Sequence, residues 1–218
     1  MSSRTGAVPD PKRQTRLRMA PEEREAEILA VARGLLREVG YEKFLPAEVA
    51  RRCEVSEGLV YRYFPTKRDL LARVAQEWLA EVLVHEPDMD TCGSAAEGLR
   101  AVVDYAFEVI RAEPALTRYI LLQLRAEADF RGSAVHLLNR RLTEHFTRVV
   151  EAAVAGGEYR DDVPLPVIRD MIFGAIEHQT WAYLRGEGDF PPRKVAAGIA
   201  DVIHKGMLVR RAPKRRKA

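Results

Sequence analysis

The chain has 218 residues, of which 47% are apolar and 7% aromatic, and its formal net charge at pH 7 is +3. No apolar run approaches the roughly 20 residues of a membrane-spanning helix, and the first residues lack the apolar stretch of a secretory signal peptide. We therefore expect a cytoplasmic protein of one or two domains that needs no membrane.

Basic residues are concentrated at the two ends of the chain. Residues 1–20 hold five Lys or Arg against one Asp, and residues 205–218 hold seven and no acidic residue. Such segments commonly bind nucleic acid, but they can also be solvated tails that only aid solubility. We expect a flexible basic arm over residues 1–20 and a basic tail over residues 210–218, with both roles open.

The first predicted helix begins near Pro21, where several Glu residues suit the positive end of the helix dipole. Helical spacing then produces one apolar stripe, formed by Ile28, Leu29, Ala32, Leu35, Leu36 and Val39. Gly40 fits the position just past the helix end, because Gly adopts a left-handed backbone most easily.

Two short helices with a tight turn are predicted over residues 45–64. Cys53 continues the apolar face of the first, and Ser56 is a suitable N-cap for the second. Val60 and Phe64 are four residues apart, so both should pack inward, with Arg62 roughly opposite. This arrangement is typical of a helix-turn-helix, whose second helix enters the DNA major groove.

Residues 56–67, with the sequence SEGLVYRYFPTK, resemble the recognition-helix signature of the TetR family of bacterial transcription regulators. The matching positions are Ser56, Gly58, Tyr61, Tyr63, Phe64 and Lys67, and the likeness extends back through Ile28, Ala32, Gly40 and Tyr41. Leu59 and Glu57 depart from the residues common in the family. The resemblance implies an all-α protein, with an N-terminal three-helix helix-turn-helix DNA-binding domain and a C-terminal helical ligand-binding and dimerisation domain.

The predicted DNA-binding residues are Ser56, Glu57, Gly58, Leu59, Tyr61, Arg62, Tyr63 and Lys67. The resemblance assigns Leu59, Tyr61 and Tyr63 to recognition contacts and Lys67 to a phosphate. Helical geometry adds Arg62, which could reach a guanine or a phosphate, while Glu57 could only accept hydrogen bonds. The tyrosines could instead pack against the first helix.

The predicted organisation places the DNA-binding domain at residues 21–67 and a linking helix at 68–84. The resemblance implies that this helix transmits ligand binding to the recognition helix. Residues 85–94 are rich in Pro, Asp, Gly and Ser, so we expect a loop and the domain boundary there. Residues 95–209 are then helical throughout and form the effector-binding and dimerisation domain.

The helix predicted from Pro164 to Leu184 is apolar most of the way round. One side carries Ile168, Met171, Ile172, Ala175, Gln179 and Ala182, and the other carries Val167, Gly174, His178, Trp181 and Leu184. Such a helix must be covered on both sides, either inside a monomer or by a partner. The resemblance favours a homodimer through this helix and the last one, Val195–Val209.

Effector pockets are mostly apolar with a few placed polar groups. The candidates in the second domain are Tyr105, Arg118, Tyr119, His145, His178, Gln179 and Trp181. His178 and Trp181 are three apart on an otherwise apolar helix, so we expect this face to line a pocket for an apolar or acyl-type ligand.

No motif indicates an enzyme. The five His are dispersed, no HExxH or nucleophile elbow occurs, and Cys53 and Cys92 lack the spacing of a metal or redox pair. We predict no cofactor and no metal. The expected function is a ligand-responsive repressor that a small effector releases from a pseudo-palindromic operator. The alternatives are a helical small-molecule-binding protein and a transcriptional activator without operator-specific repression.

Overall fold

The computed structural model describes residues 19–85 and 92–209. The regular elements in these two ranges are helices, joined by one 3₁₀ turn and one isolated β-bridge. In chain order the helices are α1 (Pro21–Lys43), α2 (Pro46–Arg52), α3 (Glu57–Tyr63), α4 (Lys67–Val84), α5 (Ala95–Ala112), α6 (Pro114–Leu122), α7 (Ala134–Leu142), α8 (Glu144–Ala155), α9 (Leu165–Leu184) and α10 (Pro192–Met207). The predicted all-α class is confirmed.

The described residues form two compact units, which divide between Val74 and Ala75. The division falls inside α4, whereas the sequence analysis places the domain boundary after this helix, at residues 85–94. Each unit has its own buried residues, and each is described by itself below.

The first unit is built on the apolar stripe of α1. Its stripe residues Ile28, Ala32 and Leu36 are completely buried, as are Val49 of α2 and Leu70 of α4. Gly40 breaks α1 with a φ of 72°, in the region that favours glycine. The main helical segment therefore ends before this residue, as predicted, and a short turn continues to Lys43.

The second unit is organised around α5, which packs against α8 and α10. A β-carbon at Gly98 would lie 3.0 Å from both methyl carbons of Val149. Glycine therefore permits the close approach of α5 and α8 at this point.

The helical segment between Ala134 and Ala155 is divided into two helices, α7 and α8. The Thr143 backbone N–H and hydroxyl both donate to the Arg140 carbonyl oxygen, at 3.0 and 2.7 Å. A hydroxyl that bonds back to its own helix backbone competes with regular helix geometry, which explains the break at this residue.

The last helix begins at Pro192 and ends at Met207, rather than running from Val195 to Val209. Its end is fixed by backbone pairing with residues 158–160. Arg160 N–H donates to the Met207 carbonyl at 2.8 Å, and Val209 N–H donates to the Glu158 carbonyl at 3.1 Å. This long-range pairing takes Val209 out of the helix.

The predicted basic tail, residues 210–218, and all but the last two residues of the predicted basic arm lie outside the described residues. Within the two described ranges, none of the helices is both long enough and apolar enough to cross a bilayer.

Candidate DNA-binding surface and effector cavity

Helix α3 is anchored by two apolar side chains that face the interior of the first unit. Val60 is 1% exposed and Phe64 is 6% exposed, so the predicted inward packing is confirmed. Glu57, Gly58, Tyr61 and Arg62 are exposed, and Leu59 and Tyr63 are half-buried. Of the predicted recognition side chains, Tyr61 and Arg62 are therefore accessible on a firmly held helix, whereas Leu59 and Tyr63 are partly covered.

Capping residues define where α3 and α4 begin. The Ser56 hydroxyl oxygen accepts from Leu59 N–H at 3.2 Å, as the sequence predicts. Asp69 N–H donates to the Thr66 hydroxyl oxygen at 3.0 Å, while Thr66 N–H donates to the Asp69 carboxylate at 3.0 Å. These reciprocal bonds satisfy N–H groups at the start of α4 and separate it from α3.

Arg62 is an available cation on the exposed side of α3. Its guanidinium lies 5.9 Å from the centroid of the Tyr63 ring. It has no hydrogen bond or ion pair with any residue in the described part of the chain. Its donors are therefore accessible to a base edge or a phosphate.

Lys67 has an internal partner. Its ammonium donates to the Tyr41 carbonyl oxygen at 2.6 Å and lies 4.1 Å from the centroid of the Tyr41 ring. Burial lowers the pKa of this amine from its usual value. Lys67 thus ties the segment after Gly40 to the first turn of α4, and the predicted phosphate contact would use its remaining N–H groups.

An ion-pair network that the sequence analysis missed connects α1 to α2. Arg52 donates to Glu38 at 2.7 Å and to Glu48 at 2.8 Å, and Arg51 also donates to Glu48 at 2.7 Å. The hydrogen bonds from Arg51 and Arg52 lower the pKa of Glu48 to about 2. Helical spacing could have revealed the Glu48 pairs, but not the pair between Glu38 and Arg52.

The second unit contains a cavity of about 890 Å³ lined by residues of α4 to α9. Its buried lining residues, which we call the floor, are Trp78, Leu79, Val102, Ile110, Thr117, Ile120, Phe130 and Ile176. Its exposed lining residues, which we call the rim, are Arg125, Glu127, Ala128, Arg131, Arg140 and Asp170. A largely apolar floor with a charged rim suits a ligand that is apolar over most of its length.

Thr117 places a hydroxyl group in the largely apolar floor. Its side chain is 7% exposed, and its hydroxyl oxygen is buried without a hydrogen-bond partner among the described residues. A buried hydroxyl in this state is costly, so a bound molecule that accepts its hydrogen bond would gain affinity.

Helix α9 separates the cavity from an exposed apolar face of the second unit. Phe173 and Ile176 line the cavity, whereas Met171 is 57% exposed and Trp181 is 46% exposed. Sequence periodicity grouped Met171 with the buried Ile168 and Ile172, and the structure separates them. We call the exposed face the α9 outer face; its members are Val167, Met171, Gly174, His178 and Trp181.

Comparison with known proteins decides the family. Residues 28–74 match the bacterial regulatory proteins of the tetR family, and residues 92–207 match the tetracyclin repressor-like C-terminal domain. The chain belongs to the TetR family of bacterial regulatory proteins. It is therefore a transcriptional regulator with a DNA-binding helix-turn-helix, which α2 and α3 form.

Two relatives show how far the likeness extends. The fatty acid metabolism regulator protein of Bacillus subtilis (strain 168) is 21% identical over 183 residues, which cover 83% of this chain and 94% of that protein. The HTH-type transcriptional regulator CymR of Pseudomonas putida is 42% identical over 71 residues, or 33% of this chain and 34% of that protein.

Among solved structures, FadR from Bacillus subtilis in complex with stearoyl-CoA has a TM-score of 0.69 at 20% identity. The match covers 84% of this chain and 98% of that one. A protein of unknown function from Rhodococcus has a TM-score of 0.71 at 17% identity, over 85% of this chain and 96% of that one. These likenesses establish the TetR fold.

The structure divides the predicted effector residues. Tyr105 and His145 line the cavity, and the Tyr105 hydroxyl donates to the Val82 carbonyl at 2.9 Å. Arg118 and the buried Tyr119 are not part of the cavity wall. His178, Gln179 and Trp181 are exposed and also lie outside it. The reason is that α9 turns these side chains away from the cavity.

Sequence reasoning missed several polar residues of the cavity wall, namely Thr117, Arg131, His136, Asn139 and Arg140. His136 and Arg140 are spaced to share a face of α7, which was the available signal. Nothing in the local pattern shows that this face borders a cavity, because the opposite wall comes from distant helices.

Proposed function

We propose that this TetR-family regulator is a homodimeric repressor that a small apolar or acyl-type effector releases from a pseudo-palindromic operator. The accessible Arg62 on the capped and anchored helix α3 carries this proposal. We assign the chain no catalytic activity. The two relatives described above are regulators, and within the described ranges no group of three or more His, Cys, Asp or Glu could hold a metal ion.

The DNA-binding proposal assigns separate tasks to the residues of α3. Tyr61 and Arg62 contact base edges, while Val60 and Phe64 hold the helix in place from inside the unit. Leu59 and Tyr63, which are half-buried, contribute both to the DNA contact and to the anchoring of the helix. Bidentate Arg contacts to guanine discriminate between bases, whereas phosphate contacts only position the protein.

The dimer proposal rests on the α9 outer face and on the neighbouring exposed side of α10. Val202 is 67% exposed, and added β-carbons at Gly174, Gly198 and Gly206 would meet nothing within 4 Å. Exposed apolar residues beside small ones permit close helix packing against a second copy. A two-fold dimer would match the two half-sites of a pseudo-palindromic operator.

The effector proposal rests on the cavity. Its volume of about 890 Å³ lies within the range of about 300–1,000 Å³ for small-molecule sites. Its apolar floor suits an alkyl or acyl chain. The structurally similar FadR of Bacillus subtilis was solved in complex with stearoyl-CoA, which supports the choice of an acyl-type molecule.

Selection from a random duplex library with the full chain, followed by gel-shift titration, tests the DNA-binding proposal. We expect enrichment of a two-fold-related sequence and a binding preference of several kcal/mol over random duplex. Arg62→Ala should lower affinity for the enriched sequence by about 10-fold or more, since one good bidentate contact contributes about 1–3 kcal/mol.

Arg141→Ala is the matched control, because it removes an exposed Arg from α7 in the other unit. It should leave DNA binding unchanged. Equal affinity of the wild type for enriched and random duplex would refute operator-specific regulation and leave the small-molecule-binding alternative.

A further inference from the structure

We propose that the effector cavity has an anion-binding site at its rim, formed by Arg131, His136, Asn139 and Arg140. The effector is then an amphiphile with an apolar body and a negatively charged head. This inference rests on the proposed effector role of the cavity and adds the chemical class of the ligand.

The pairing of the cavity arginines carries the argument. The Arg125 guanidinium donates a hydrogen bond to the Glu177 carboxylate, and the Arg169 guanidinium donates to the Asp170 carboxylate at 2.9 Å. The guanidinium groups of Arg131 and Arg140 have no hydrogen bond or ion pair with any described residue. Arginines beside an apolar cavity are best satisfied by an anion whose oxygens accept two hydrogen bonds at once, such as a carboxylate or a phosphate.

The charge balance of the cavity wall points the same way. Asp170 and Glu177 are already engaged by Arg169 and Arg125, so Glu127 is the remaining lining carboxylate against two unpaired arginines. The uncompensated charge is positive. A neutral ligand would not compensate this positive charge, and a cationic ligand would be repelled by it.

His136 and Asn139 add neutral donors between the two arginines in sequence. Gly132 N–H donates to His136 Nδ1 at 3.0 Å, so the neutral imidazole carries its hydrogen on Nε2. The Phe130 ring packs edge-on against His136, with a centroid separation of 5.4 Å. His136, Asn139 and Arg140 are three and four residues apart, so they share one face of α7.

The floor supplies the apolar half of the site. Ile110, Ile120 and Ile176 are buried in the cavity wall, while Arg131 and Arg140 are exposed at the rim. An elongated molecule can therefore bury its hydrocarbon chain and keep its anionic head near water. Solvent exposure at the rim also reduces the cost of desolvating the head group.

Isothermal titration calorimetry of the full chain with three probes of one chain length tests the proposal. Laurate has a carboxylate head, lauroyl-CoA has a phosphate-bearing head, and 1-dodecanol is neutral. The variant is Arg131→Gln with Arg140→Gln. The control is Arg141→Gln with Arg193→Gln, which removes the same charge from exposed positions outside the cavity wall.

We expect at least one anionic probe to bind the wild type and the control alike, and to bind the Arg131/Arg140 variant at least 10-fold more weakly. Affinity for 1-dodecanol should not change between these proteins. The comparison of laurate with lauroyl-CoA identifies the head group.

Two results would overturn the anion site. If 1-dodecanol binds the wild type as tightly as both anionic probes, or if the Arg131/Arg140 variant retains full affinity for them, the cavity keeps its effector role and this inference alone fails. If none of the three probes binds, the proposed acyl-type effector fails together with it.

Discussion

The Lys67 ammonium donates to the Tyr41 carbonyl oxygen at 2.6 Å and stacks on the ring of the same tyrosine. This contact joins two segments that flank the helix-turn-helix in sequence. The Lys67 ammonium, which belongs to the family signature, therefore stabilises the folded unit. The predicted contact with a DNA phosphate would be a second role.

Lys67→Met keeps the aliphatic stem and removes the donor. We expect it to destabilise the first unit by about 1 kcal/mol, since a half-exposed charged hydrogen bond is lost. Hydrogen exchange of peptides spanning residues 41–67 should show faster exchange. If Lys67 also contacts a phosphate, the slope of log K against log salt should fall in magnitude by about 0.9 per subunit, and so by about 1.8 for a bound dimer, on all duplexes.

Lys67→Arg separates the two roles, because it retains the charge but changes the geometry at Tyr41. It should preserve the salt slope while leaving exchange faster than in the wild type. An unchanged slope in Lys67→Met would exclude the phosphate contact, and unchanged exchange would exclude the structural role.

Thr117→Val replaces the unpartnered hydroxyl in the cavity floor by a methyl group of similar volume. We expect the free energy of unfolding of the ligand-free protein to rise by about 1 kcal/mol, because a buried unsatisfied group disappears. Both tryptophans, Trp78 and Trp181, belong to the second unit. Urea unfolding followed by tryptophan fluorescence therefore reports on this unit.

Thr180→Val is the control for Thr117. The Thr180 hydroxyl is also buried, but it donates to the Glu177 carbonyl at 2.9 Å. Its replacement should give no stabilisation. If Thr117→Val lowers the free energy of unfolding instead, the Thr117 hydroxyl is hydrogen-bonded in solution and the prediction is wrong.

Val202→Glu places a charge on the exposed side of α10, the helix that packs against α9. We expect sedimentation equilibrium to show a shift from dimer to monomer, because a carboxylate would be buried without a partner at the contact. Leu137→Glu is the matched control, since Leu137 is an exposed apolar residue of α7, at 53% exposure. A Val202→Glu protein with the mass of the wild-type dimer would refute the proposed interface.

The ion pairs of Glu48 with Arg51 and Arg52 should make part of the stability of the first unit sensitive to acid. Its pKa is about 2 in the folded chain, depressed from about 4.5 by the hydrogen bonds from Arg51 and Arg52. A depressed folded pKa contributes stability above pH 4.5 and loses it as the pH falls towards 2. Thermal melts of wild type and Glu48→Gln should therefore differ more at pH 6 than at pH 2.5. A difference in melting temperature between the two proteins that does not change with pH would contradict this contribution.

Sequence alone determined the features that depend on neighbours within about four residues. The cap at Ser56, the inward pair Val60 and Phe64, and the helix end at Gly40 all follow from local spacing and backbone preference. The family signature falls on the same short segment. Each of these features is decided by one turn of helix, so no distant contact is needed to predict it.

Tertiary structure decided which side of an ambiguous helix faces inward. On α9, Met171 and Ile172 are adjacent and both apolar, yet one is exposed and the other buried. The pair between Glu38 and Arg52, and the cavity that brings Arg131 and Arg140 to a common wall, likewise depend on how separate helices pack. Periodicity shows that a helix has an apolar face, but only the helices around it determine what covers that face.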